Sequence, residues 1–151
     1  MSALSAPDQY QEIRDAVRGL CQQFPAEYHR KIDEARGYPE EFVTALTKAG
    51  WLAALIPQEF GGPGLSMAEA SVIMEEINRS GGNSGACHGQ MYVMNTIVFS
   101  GTDAQKQKYL PRIAAGDLRV QSMGVPEPTT SGSELTFEVI TGVPAAIASI
   151  G

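Results

Sequence analysis

Cysteine is scarce in this sequence. Cys21 and Cys87 are the two in 151 residues, far apart and without a neighbouring ligand set. That excludes a disulfide framework and a zinc site, and it fits a reducing compartment, the cytoplasm. Basic residues are also few: 11 Lys plus Arg stand against 17 Asp plus Glu, a formal charge of -6 with no basic cluster. A nucleic-acid partner is excluded on that balance. No apolar run approaches the roughly 20 residues that cross a bilayer, so no membrane span is expected. The opening M-S-A-L-S-A-P-D-Q-Y has neither a basic n-region before an apolar stretch nor an Arg-rich amphipathic presequence. Internal repeats and low-complexity tracts are missing too. With 151 residues the chain can bury one real core and cannot hold two large ones.

What is present is helical periodicity. Tyr10, Ile13, Val17, Leu20 and Phe24 recur at three- and four-residue steps, which places them on one helical face, and Ser5 with Asp8 reads as its capped start. Pro25 interrupts this face, and a polar helical stretch with Tyr28 and Ile32 runs to Gly37. Pro39 suits the first turn of a further helix with Phe42, Leu46 and Ala49 as its buried stripe and Gly50 as its stop. W-L-A-A-L-I-P-Q-E-F-G-G-P-G-L-S predicts a buried crossing and then a tight turn. Ser66 and Glu69 form a capping box ahead of Ala70, Ile73, Met74 and Ile77. A long helix is predicted over Ser84 to Phe99, burying Cys87, Met91, Met94 and Val98. Thr102 with Gln105 caps another helix, and Leu118 to Val125 reads as a strand. The last residues, F-E-V-I-T-G-V-P-A-A-I-A-S-I-G, have no evident partner.

Taken singly, the chemical signals are weak. His29, among the charges of A-E-Y-H-R-K, belongs to a solvated helix face, and His88 is expected as a packed histidine or a pocket wall. Cys87 and His88 make no dyad, because adjacent helical residues point about 100° apart. G-G-P-G at 61–64 lacks the Lys-Ser/Thr ending of a phosphate loop and is a turn. The stripe Met91, Met94 and Val98 is ordinary core or, given the compliance of methionine, the wall of a slot for a flexible acyl chain.

The order of the segments says more. G-W-L-A-A-L-I-P-Q-E-F-G-G-P-G-L-S, M-E-E-I-N-R-S, G-T-D-A-Q-K-Q-K-Y-L-P-R-I-A-A-G and Q-S-M-G-V-P-E-P-T-T-S-G-S-E follow one another as in the acyl-CoA dehydrogenase family, which the chain resembles from about Tyr10 to Glu134. The resemblance implies a mainly α chain: a helical N-terminal domain over 1–116, then the first strands of an incomplete β domain over 117–151. It implies FAD as cofactor, an acyl-CoA thioester as substrate, an electron-transfer flavoprotein as partner and a homo-oligomer at full length. Carried over by position, Met123, Val125 and Pro126 flank the flavin, and Ser133 lies near its pyrophosphate or the substrate. Cys87, Met91 and Met94 line the acyl slot.

Pro126 stands where the family has threonine, Ser131 is one residue more before Gly132, and Glu134 replaces an aspartate. The family's catalytic glutamate falls outside the matched stretch, so no catalytic residue is assigned here. The expectation is therefore an N-terminal fragment, or the product of a shifted or early-terminated frame, unmatched from about Leu135 and inactive alone. A non-catalytic helical interaction module or partner subunit, and a degenerate truncated product, are the alternatives.

Overall fold

A computed structural model of the chain describes residues 9–122 and 137–140. Among them, six α-helices precede a two-stranded sheet: α1 Gln11–Cys21, α2 Ala26–Glu34, α3 Glu40–Lys48, α4 Met67–Arg79, α5 Ser84–Ser100, α6 Asp103–Ala114, β1 Arg119–Ser122 and β2 Phe137–Ile140. The mainly helical expectation holds.

Both capping boxes form. Ser66 Oγ accepts from the Glu69 amide while the Ser66 amide donates to the Glu69 carboxylate at 2.7 Å, and Thr102 and Gln105 repeat the exchange. Each satisfies two of the amides that a helix start leaves without intrahelical partners. Pro25 and Pro39 occupy the residue before α2 and α3, so Pro39 sits one position ahead of its expected place in the first turn. α3 ends where Gly50 turns left-handed at φ 81, a conformation that a Cβ opposes. That early stop leaves Ala49 exposed, and Val43 and Thr47 join Phe42 and Leu46 on the buried side. α6 runs through Pro111 into its last turn. A proline there loses one backbone hydrogen bond, and burial of Leu110 and Ile113 to 0 % exposure outweighs it.

The core forms two clusters. Val17, Phe42, Leu46, Ile73 and Ile77 centre one, where α1 lies along α4 beside α3. Ile56, Leu110, Ile113 and Leu118 centre the other, between α5 and α6. α5 spans both: Cys87 and Met91 enter the first, Met94 and Ile97 the second. Val98 is half-buried, because Ile97, three residues beyond Met94, takes the inward position.

β1 rests on α5 and pairs antiparallel with β2, Arg119 opposite Ile140 and Ser122 opposite Phe137. F-E-V-I, which has no evident partner in the sequence, is thus the second strand of this pair.

His29 differs from the solvated residue expected, and His88 is not the packed histidine that was one of its two expected roles. His29 is half-buried with its ring edge-on to Phe42 and Tyr28 at 5.0 and 5.2 Å, because Phe24, Tyr28 and Phe42 close an aromatic cluster over that side of α2. His88 is exposed, on the side of α5 opposite the core.

Candidate functional site

The site begins where the helical unit passes into the sheet. Leu118 is buried in the second cluster, and the next residue, Arg119, opens β1. Met123, Val125, Pro126 and Ser133 follow β1 in the sequence and lie outside the described residues, as does the Ser5–Asp8 helix start.

α5 forms the floor under β1. Asn83 caps it, its Oδ1 accepting from the amides of Gly85 and Ala86 at 3.0 and 3.4 Å. No Asp, Glu, Lys or Arg occurs along its length. Cys87, Met91 and Met94 point inward at 0, 4 and 0 % exposure, so the structure brings all three to one side of one helix, inside the core. Burial, and to a lesser degree the nearby Cys21 thiol, push the Cys87 pKa up to about 12, which keeps it a neutral thiol. The outward side carries His88, Tyr92 and Phe99, with Tyr92 64 % and Phe99 75 % exposed. Two large apolar side chains thus lie exposed on a side of α5 that holds no charged residue.

A second constellation escaped the sequence reading. Glu76 on α4 is buried, and three arginines converge on it: Arg14 at 3.0 Å, Arg18 through Nε and Nη2 at 3.1 Å, and Arg79 at 3.2 Å. Glu75 bridges Arg14 and Arg79 at 2.8 and 2.6 Å. Burial alone pushes the Glu76 carboxyl up, but hydrogen bonds from Arg14 and Arg18 and the charges of Arg18 and Arg79 outweigh it, so its pKa lies below the ordinary value. The cluster clamps α1 on α4. Its only signal in the sequence is that Glu76 falls on the same arc as Ile73 and Ile77 while Arg14 and Arg18 stand one turn apart.

An open groove of about 960 Å³ runs between the start of α1, the Gly50–Trp51 turn and the Gly61–Gly62 turn, with Tyr10, Trp51 and Leu65 on its walls and Glu12 and Glu69 at its rim. Among the described residues no group of three or more His, Cys, Asp or Glu side chains could hold a metal ion, and no helix is long and apolar enough to cross a membrane.

Comparison with known proteins fits this architecture. The family described as acyl-CoA dehydrogenase, N-terminal domain, matches residues 7–117. The mitochondrial isovaleryl-CoA dehydrogenase of Solanum tuberosum is 30% identical over 138 residues, which are 89% of this chain and 33% of that protein. The chain thus spans about a third of the length of the curated relatives it matches. An acyl-CoA dehydrogenase complexed with FAD from Bacillus anthracis superposes with a TM-score of 0.67 at 22% identity, over 87% of this chain and 23% of that one. The ChsE4-ChsE5 complex from Mycobacterium tuberculosis superposes with a TM-score of 0.56 at 32% identity, over 79% and 30%. The helical unit is therefore that of a shared domain: the chain belongs to the acyl-CoA dehydrogenase family, through that family's N-terminal helical domain.

Proposed function

We propose that this chain supplies one wall of a FAD-dependent acyl-CoA dehydrogenase that oxidises an acyl-CoA thioester between its α and β carbons. The observation that supports the reading is the passage from Leu118, buried in the helical unit, into β1, which the V-P-E-P-T-T-S-G-S stretch follows in the sequence. FAD, when bound, accepts the hydride from the β carbon. Met123 and Val125 would flank its ring; their amides, and the Ser133 hydroxyl near the pyrophosphate or the substrate, would donate hydrogen bonds without adding a competing charge. Pro126 contributes shape but no amide donor.

α5 forms the acyl slot, with Cys87, Met91 and Met94 as its inward lining and the uncharged Tyr92–Phe99 side as the surface another domain or chain covers. The electron acceptor is an electron-transfer flavoprotein, the full-length assembly is a homo-oligomer, and the two neutral thiols suit a reducing compartment such as the cytoplasm. One wall cannot enclose a flavin, so the polypeptide alone retains no stoichiometric FAD and no dehydrogenase activity.

The test is an amide NMR titration with FAD and, as control, ADP. FAD at high concentration should shift the amides of Met123, Val125 and Ser133 beyond the shifts that ADP causes, while the gel-filtered protein stays colourless. Absence of any FAD-specific shift in 123–133 overturns the flavin assignment. A second reading, a helical subunit that pairs with a separate chain, is favoured by the uncharged outward side of α5 and by a 32% identical relative solved as a complex of two proteins.

A further inference from the structure

Arg119 has a place that the helical unit does not need for itself. Its guanidinium reaches back across 79 residues to α3, where Nη1 donates to Glu40 Oε1 at 2.6 Å and Nη2 donates to Thr44 Oγ1 at 2.5 Å. Thr44 Oγ1 in turn donates to Glu40 Oε1 at 3.3 Å, closing a triangle one helical turn wide. The Arg119 side chain is 14% exposed, so the fork is held in a fixed pose rather than swinging in solvent. Glu40 is the first residue of α3. A cation at a helix N-terminus opposes the helix dipole, so Arg119 brings α3 no dipole stabilisation and serves the strand.

The residue before it fixes the other side of the chain. Leu118 is 1% exposed and locked among Ile56, Leu110 and Ile113. Successive residues of an extended chain point to opposite sides. A buried Leu118 followed by a latched Arg119 therefore sets the roll of β1 at its first residue, and a strand's roll decides which way every later side chain faces.

We propose that Arg119 is a positioning residue that latches β1 to α3 and so fixes the strand from which the chain continues towards Met123. The bearing of this latch on flavin binding rests on the flavin assignment above; the latch itself does not. Tyr38 gives an independent reporter beside it. Burial raises the Tyr38 pKa, the Arg119 charge lowers it, and Cys87 and Glu40 raise it.

The test is hydrogen–deuterium exchange on the whole chain, read at the amides of residues 120–122, for Arg119→Ala, Arg119→Lys, Thr44→Val and the exchanged pair Arg119→Glu with Glu40→Arg. Arg119→Ala is expected to speed exchange in β1 about five- to tenfold while α4, α5 and α6 keep their protection. Arg119→Lys should recover part of it, the exchanged pair most of it, and Thr44→Val should lose less than Arg119→Ala. The Tyr38 phenol, assigned with Tyr38→Phe, should titrate higher in Arg119→Ala and return in Arg119→Lys. Unchanged β1 exchange in Arg119→Ala, or equal loss in all helices without recovery in the exchanged pair, overturns the latch. Because this readout needs no FAD, a failed flavin titration leaves the result on Arg119 standing, and the reverse holds too.

Discussion

Glu76→Gln is the perturbation that separates the arginine cluster from ordinary surface charge. The substitution keeps the shape of a side chain that is 1% exposed and removes its charge from the centre of Arg14, Arg18 and Arg79. Leaving buried charges without their partner costs about 3–5 kcal/mol when they cannot reach water. Here Arg18 and Arg79 are 40% and 57% exposed and can rehydrate, whereas Arg14 at 17% can do so only in part and keeps Glu75 at 2.8 Å. The expected loss is therefore smaller, about 2–3 kcal/mol, which for a chain of this size lowers Tm by about 10 °C. Urea unfolding at pH 7 followed by far-UV circular dichroism measures it. Glu75→Gln is the control; Glu75 is 46% exposed, so its loss should stay below about 0.5 kcal/mol. The pH dependence has a fixed sign. The folded pKa of Glu76 lies below its ordinary 4.5, so its contribution is complete above that pH and fades as the pH falls through the folded value. Glu76→Gln should flatten that acid limb. A Glu76→Gln loss no larger than that of Glu75→Gln would refute the reasoning.

Ser66→Ala and Thr102→Ala should each cost about 1 kcal/mol in the same unfolding assay, since each removes the side-chain acceptor of a formed capping box. Gly62→Ala should cost more than either, because its Cβ would overlap Ile56 O and Cβ, backbone and core that cannot swing aside; equal stability would show that the Gly61–Gly62 turn can shift. Native Cys21 and Cys87 should resist a disulfide thiol reagent at pH 8 until the chain unfolds, since both are buried and Cys87 ionises only near pH 12. The outward side of α5 should bind a hydrophobic dye or drive self-association, and Tyr92→Ser with Phe99→Ser should abolish this without lowering Tm; a monodisperse wild-type monomer that ignores the dye counts against an uncovered surface.

The helices were legible because their signals are local. A capping box, a proline before a first turn and a left-handed glycine each act within four residues, and Ser66, Thr102 and Gly50 behave as the sequence predicts. Burial at the edges of a stripe was less legible, since it depends on what arrives from elsewhere. Ala49 fits the helical period but lies past the last turn of α3, and His29 sits among charges yet is roofed by Phe42, brought over from α3. Glu76 is the extreme case. Single-residue preference places a glutamate outside, and only the packing of α1 on α4 supplies the arginines that reverse it.

The β pair was hidden for a related reason. Antiparallel strands announce themselves when two residues join them, whereas residues 123–136 separate β1 from β2. F-E-V-I therefore carried a strand's composition with no visible partner. The same separation bears on function. A connection of more than about 12 residues inside a strand pair is uncommon unless it serves a site, and a loop can change sequence while the ladder at its base fixes both ends. Leu118, Arg119 and the pairing of Ser122 with Phe137 fix those ends here. On the proposed reading, that base would let the stretch containing Met123, Val125, Pro126 and Ser133 change in sequence while β1 and β2 keep its two ends in register.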